Sequence, residues 1–175
     1  MLEIKKITTQ SEDLPKIMKL YNESFPPNER DPLDVMLEDE SWNAEVLGFY
    51  EDGVFCALAC LLSYGDLTHI LYLAVEPAAR DHGCGSRVLQ ALRRHKPTAR
   101  ILADIEDVRE EADNHEQRVK RREFYLRNGY TESPVAYRWH GTDYVILVNG
   151  GMLTEHEFST FWEHFDHHGS RYEGM

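Results

Sequence analysis

One stretch restricts the fold of this chain more than any other. An apolar run over residues 67–75 stops at Pro77, crosses a loop with Gly83 and Gly85, and resumes at helical spacing with Val88, Leu89 and Leu92. A short apolar run bounded by turn residues predicts a buried strand, and the three- and four-residue spacing predicts a helix. The junction Leu71-Tyr-Leu-Ala-Val75-Glu-Pro77-Ala-Ala-Arg80-Asp-His-Gly83-Cys-Gly85-Ser86 therefore reads as strand, glycine loop and helix start. Backbone N–H groups at a helix start have no partner within the helix, and the helix dipole adds positive character. Glycines let a phosphate approach the main chain closely. The junction suits an anion, above all a phosphate, although many strand-to-helix turns use glycine for shape alone. The dinucleotide fingerprint wants a third glycine or alanine where Val88 stands, and the Gly-Lys-Ser/Thr of a Walker loop is absent.

The rest of the chain alternates helical and strand periods. Leu14, Ile17, Met18, Tyr21 and Phe25 recur at helical steps, and Pro26-Pro27 ends that first helix. A short second helix follows Asp31-Pro32, with Leu33, Met36 and Leu37 on one face. Residues 1–6 read as a first strand, and residues 45–51 and 54–64 as strands joined by the hairpin signal Asp52-Gly53. A strand over 101–106, a helix stopped at Gly129, and a hairpin over 130–140 and 144–148 around Gly141-Thr142 come next. Thr154-Glu155-His156-Glu157 is a capping box that opens a last helix over about 154–166. Its stripe of Phe158, Phe161, Trp162 and Phe165 suits packing on the body of the protein. No repeat, low-complexity segment or linker interrupts the 175 residues, so a single α/β domain over 1–175 is expected.

Composition removes several classes of function. A formal net charge of −12 argues against a general nucleic-acid binder, which needs clustered Lys and Arg. No apolar run is long enough to span a membrane, and the N-terminus lacks a secretory pattern. Cys56, Cys60 and Cys84 are odd in number and lack zinc-type spacing, which points to a reduced, cytoplasmic setting. His156, His164, His167 and His168 lack Cys or ordered carboxylate partners, so no metal is expected. Positive charge gathers at Arg80, Arg87, Arg93, Arg94 and Lys96, and again at Arg118, Lys120, Arg121, Arg122 and Arg127. Two basic segments on an acidic chain suit an anionic cofactor with a cationic second substrate, or are two solvated helix faces.

Two motifs together resemble the GNAT superfamily of acyl-coenzyme A-dependent N-acetyltransferases. Val75-Glu76-Pro77 followed by Arg80-Asp81-His82-Gly83-Cys84-Gly85 is similar to the family's Arg/Gln-x-x-Gly-x-Gly/Ala signature after a Val-x-Pro-like strand end. Phe124-Tyr125-Leu126-Arg127-Asn128-Gly129-Tyr130 is similar to its second motif on the following helix. Phe25-Pro26-Pro27-Asn28-Glu29-Arg30 looks like the acceptor-side loop of some small bacterial members. The order of elements over roughly residues 1–149 follows the family fold, an α/β arrangement with a mixed, mostly antiparallel central sheet flanked by helices.

The resemblance implies acetyl-CoA as donor and direct attack by a primary amine in a ternary complex. It places the pantetheine arm along the backbone of Leu73, Ala74 and Val75, in a slot where that strand splays from the next. Arg80, Asp81, His82, Gly83, Cys84, Gly85 and Ser86 would wrap the pyrophosphate, mostly through main-chain N–H groups. A strand N–H near Leu73 would stabilise the thioester oxyanion, and Tyr125 would protonate the leaving thiolate. Cys84 is not needed as a nucleophile. Many members carry an asparagine seven residues before the helix tyrosine, against the pantetheine arm. Here that position is Arg118, so either Asn114 substitutes or the contact is lost.

An attacking amine must be neutral, so a base or a water relay is required. Asp104 and Glu106 alternate with Ile101, Ala103 and Ile105, which puts both carboxylates on one strand face. Glu106 is the favoured base, with a salt bridge to Arg118 or Arg121 as its competing role, and Glu29 is a second candidate. The acceptor would lie by Phe25, Glu29, Arg30, Asp104 and Tyr137, near the final hairpin that also carries Tyr144. The acidic balance favours a cationic small molecule such as a polyamine or amino sugar, and a peptide amine is the other option. The aromatic last helix could also pair two copies as a homodimer. Two non-enzymatic alternatives are an acetyl-CoA-binding regulatory module without turnover, and a structural partner protein whose glycine loop only turns a corner.

Overall fold

The computed structural model describes residues 1–109 and 111–165. His167 and His168, two of the histidines weighed as metal ligands, lie outside the described residues. Among the described residues, seven strands and five α helices follow in a fixed order. They are β1 (Glu3–Lys6), α1 (Leu14–Ser24), α2 (Leu33–Glu38), β2 (Ala44–Glu51), β3 (Val54–Tyr64), β4 (Leu67–Val75), α3 (Cys84–His95), β5 (Arg100–Glu106), α4 (His115–Arg127), β6 (Thr131–Trp139), β7 (Thr142–Asn149) and α5 (Glu155–His164). The expected α/β class with mostly antiparallel pairing is present: β1–β2, β2–β3, β5–β7 and β6–β7 all run antiparallel. Among the described residues no helix is long and apolar enough to cross a membrane.

The chain falls into two compact units, Met1–Ser63 with Ile70–Pro97, and Tyr64–His69 with the described residues from Thr98 onward. In the first unit β3 reads as a continuous apolar run and is buried along nearly its whole length, as a strand covered on both faces must be. The hairpin before it turns at Asp52 and Gly53, both in the left-handed region with φ of 49° and 79°. That is the conformation a two-residue hairpin turn demands. α1 buries Ile17, Leu20 and Tyr21. Phe25 stands one residue past its end with an extended backbone, because Pro26 disfavours a further helical residue.

In the second unit the final hairpin turns one residue earlier than expected. His140 and Gly141 make the turn with φ of 47° and 78°, and Thr142 is already in β7. α5 carries the expected capping box: the Thr154 hydroxyl accepts from the Glu157 N–H, and the Glu157 carboxylate accepts from the Thr154 N–H. The same side chain takes Arg100 Nη1 at 2.9 Å, while the rest of that guanidinium forks onto Asp66 at 2.8 and 2.9 Å. Phe158, Phe161, Trp162 and Phe165 of the α5 stripe are all buried. They form core, so these four rings present no surface on which two copies could pair.

Replacing Thr154 with alanine removes one hydrogen-bond acceptor from the α5 N-terminus and should cost about 1 kcal/mol. For a chain of this length that is a fall of about 3 °C in Tm by differential scanning calorimetry. An unchanged Tm would show that Arg100 alone anchors the helix start.

Candidate active site

In the first unit, β4 ends with Leu73 and Val75 half-buried and Ala74 buried. A short 3-10 turn over Pro77–Ala79 follows. Asp81 and Gly83 then take left-handed backbone with φ of 62° and 72°, and α3 begins at Cys84. A Cβ on Gly83 would meet nothing closer than Arg87 Nη1 at 3.6 Å, so glycine is needed there for its backbone and not for space. The cap residue offers no side chain to the first-turn N–H groups. Two arginines fix the loop from its carbonyl side. Arg80 Nε donates to the Val75 carbonyl at 2.9 Å, and Arg87 donates to the His82 carbonyl at 2.8 Å and to Glu51 at 3.0 Å. The loop thus has carbonyls tied down and N–H groups clustered at a helix start, the arrangement that binds an anion. Asp81, His82 and Gly83 are exposed, and Gly85 and Ser86 are partly so.

Cys84 is buried, with Cys56 beside it. Burial and the neighbouring Cys84 thiol push the Cys56 thiol up to about 12, and its Sγ donates to the Phe49 carbonyl at 3.3 Å. Cys56 is a protonated, packed thiol.

The loop expected on the acceptor side belongs to a hydrogen-bonded aromatic cluster that sequence reasoning missed. The Tyr21 hydroxyl donates to the Asp31 carbonyl at 2.6 Å. Tyr72, on β4 next to Leu73, donates to Asp31 Oδ2 at 2.9 Å and accepts from the Asp31 N–H at 2.8 Å. Phe25 packs edge-on to Tyr72 with ring centroids 4.9 Å apart. Arg30 donates to the carbonyls of Asn22 and Phe25, so its guanidinium closes the end of α1. Glu29 is exposed on the 3-10 turn Pro27–Glu29. Tyr21 and Tyr72 look like ordinary core aromatics in sequence, and no local signal marks their hydroxyls.

In the second unit, Asp104 and Glu106 alternate along β5 with the buried Ile101, Ala103 and Ile105 as expected. Their surroundings differ sharply. Glu106 Oε2 lies 2.7 Å from Arg118 Nε and accepts from Asn114 Nδ2 at 3.1 Å, with Arg121 at 3.9 Å from the other oxygen. Glu106 is therefore an ion-pair partner, the role that competed with that of base. Arg118 also donates to Asn114 Oδ1 at 2.8 Å and to the Asp107 carbonyl at 3.1 Å. Both ends of the Asn114 amide are thus engaged within this cluster. Asp104 is held by a different pair: Tyr137 donates to Oδ2, and His69 Nε2 lies 3.3 Å from Oδ1. His69 escaped notice in the sequence because a lone histidine in an apolar strand carries no pattern.

Tyr125 is buried on α4 between Phe124 and Tyr130, with ring centroids at 5.1 and 5.2 Å. Burial, opposed by Arg121 and aided by the Asp104 charge, pushes its hydroxyl up to about 12. The phenol therefore carries its proton at neutral pH, as an acid must. Among the described residues no group of three or more His, Cys, Asp or Glu is placed to hold a metal ion.

The Tyr125 shift has a consequence for stability. Its folded-state value lies above its unfolded value, so its contribution is complete below about pH 10 and is lost as pH rises through about 12. Ultraviolet titration of the protein minus that of a Tyr125→Phe variant should reveal one tyrosine ionising about two pH units late. A difference curve centred near the ordinary tyrosine value would show that water reaches the phenol.

The family model for an acetyltransferase (GNAT) domain matches residues 42–132, more than half of the chain. No curated protein sequence matches it. Similar solved structures include a GNAT-family protein from Bacteroides thetaiotaomicron, with 22% identity, 95% of this chain and 96% of that chain covered, and a TM-score of 0.77. The ribosomal-protein-S18-alanine N-acetyltransferase from Escherichia coli has 18% identity, coverage of 89% and 97%, and a TM-score of 0.64. A GNAT family acetyltransferase from Elizabethkingia anophelis, solved with acetyl-CoA bound, has 14% identity, coverage of 85% and 97%, and a TM-score of 0.56. These structures share the fold, and the matched family model carries the assignment: the chain belongs to the GNAT family of acetyltransferases.

Proposed function

We propose that this protein moves the acetyl group of acetyl-CoA to a primary amine by direct attack in a ternary complex. The observation that carries the proposal is the loop before α3, with its carbonyls tied by Arg80 and Arg87 and its helix cap left to Gly83. A diphosphate is the group in acetyl-CoA that such a cradle suits. The proposal takes residues 1–175 as one catalytic domain, supported by a family match that runs through both compact units. Free cysteines at all three positions fit a reducing, cytoplasmic setting.

In this reading Leu73, Ala74 and Val75 bind the pantetheine arm through their backbone, and residues 80–86 bind the pyrophosphate. Tyr125 protonates the departing thiolate, for which its retained proton suits it. The resemblance gives the acceptor to Phe25, Glu29 and Arg30 in the first unit and to Asp104 and Tyr137 in the second. Asn114 serves the pantetheine arm in place of the family's asparagine, whose sequence position is Arg118 here. The acceptor is a cationic small molecule or a peptide amine, attracted by the acidic balance of the chain. One observation favours a module that binds acetyl-CoA without turnover: Glu106 is neutralised by Arg118, and Asn114 is engaged by both.

A thermal-shift titration with acetyl-CoA, controlled by ATP and NADH, tests the donor. Ligand at about a hundred times its Kd should add roughly 2.7 kcal/mol, a rise of several degrees. No rise at millimolar acetyl-CoA would refute both the enzyme and the module. Tyr125→Phe should lower kcat by roughly a hundredfold or more and leave acetyl-CoA affinity unchanged. Binding by the wild type without thiol release would select the module.

A further inference from the structure

His69 has no part in the steps above, yet it is a costly side chain to bury. It is fully buried, edge-on to Phe158, Phe161 and Trp162 with ring centroids at 6.0, 6.1 and 5.6 Å. Among the described residues its buried Nδ1 has no hydrogen-bond partner. An apolar residue would fill this aromatic surround without leaving a ring nitrogen unsatisfied. The polar contact that His69 does make is with Asp104, 3.3 Å from Nε2 to Oδ1.

The surroundings select the tautomer. A proton on Nδ1 would bury an N–H that has no acceptor among the described residues. The single proton of a neutral ring therefore sits on Nε2, 3.3 Å from Asp104 Oδ1, and is donated to that carboxylate. Tyr137 donates to the other oxygen of the same carboxylate. Two neutral donors from β4 and β6 thus clamp Asp104, and Tyr125 on α4 senses its charge. The side chain of Asp104 keeps 10% of its exposure. Glu106, by contrast, faces the guanidinium groups of Arg118 and Arg121 at 2.7 and 3.9 Å. An incoming ammonium would meet cations at Glu106 and a carboxylate clamped by neutral donors at Asp104.

We propose that His69 is a positioning residue that fixes Asp104 as the base for the acceptor amine. The inference rests on the acetyl-transfer reading and names the base within it. The ammonium gives one proton to Asp104, and the neutral nitrogen attacks the thioester carbonyl. The C–N bond forms, the C–S bond breaks, and the thiolate takes the proton of Tyr125. The second nitrogen proton returns to the Tyr125 oxygen, and Asp104 releases its proton to water after the products leave. His69 stays neutral throughout.

Two readouts test this. Long-range proton–nitrogen correlation spectra of the imidazoles, with His69 assigned by its loss in His69→Gln, should show a neutral ring protonated on Nε2 at neutral pH. An imidazolium or an Nδ1–H ring would overturn the inference, and this measurement needs no acceptor. Thiol release is then followed with spermidine, glucosamine and an alanine-initiated tripeptide as acceptor probes. His69→Leu should lower kcat roughly 10- to 100-fold, the usual loss when a group supporting a reactive ligand is removed, with KM for acetyl-CoA unchanged. His69→Gln, which keeps an N–H near the place of Nε2, should recover most of that loss. Equal rates for the two variants, with both folded by circular dichroism, would overturn the inference and leave acetyl transfer standing. A wild type that neither binds acetyl-CoA nor releases thiol with any probe would overturn the acetyl-transfer reading itself.

Discussion

An α helix cannot satisfy the N–H groups of its own first turn, and at α3 the residue in the cap position is a glycine. Many helix starts settle this need with a Ser, Thr, Asp or Asn oxygen, as α5 does with Thr154. Gly83 supplies no such oxygen, and it takes a left-handed conformation that other residues adopt at a cost of about 1–2 kcal/mol. Arg80 and Arg87 tie the loop by its carbonyls, at Val75 and at His82. The buried apolar β4 leads directly into that loop.

The two carboxylates of β5 show how environment separates residues that sequence makes equivalent. Asp104 and Glu106 are two residues apart on one strand face, yet one is clamped by a phenol and an imidazole and the other by guanidinium groups. The difference comes from what faces them. α4 brings Arg118 to Glu106, and β4 and β6 bring His69 and Tyr137 to Asp104. Opposite charge nearby holds a carboxylate in an ion pair, whereas a phenol and an imidazole orient it through hydrogen bonds. The Asp104 charge also helps Tyr125 keep its proton, so the proposed acid and base are coupled through one side chain.

Much of the fold was legible because its signals are local. The Asp52-Gly53 turn, the capping box at Thr154, the strand over 67–75 and the glycine loop all appear where their residues require. The His140-Gly141 turn was misplaced by one residue because His140 adopts positive φ, which residue type alone does not announce. The single-domain expectation stays a proposal, since the contacts divide the chain into two units.

Local sequence determined which segments are strands and helices, where the glycine loop before α3 lies, and that Tyr125 sits on a helix after a carboxylate-bearing strand. Periodicity and turn chemistry act within a few residues, so they can be read without the fold. Only the tertiary structure decided the partners of each polar group. It paired Asp31 with Tyr72, 41 residues away, Asp104 with His69, 35 residues away, and Asp104 with Tyr137, 33 residues away. It also assigned Arg118 to Glu106 and sealed the α5 stripe in the core. Such pairings depend on which side chains the strands and helices bring face to face, and no spacing along the chain encodes them.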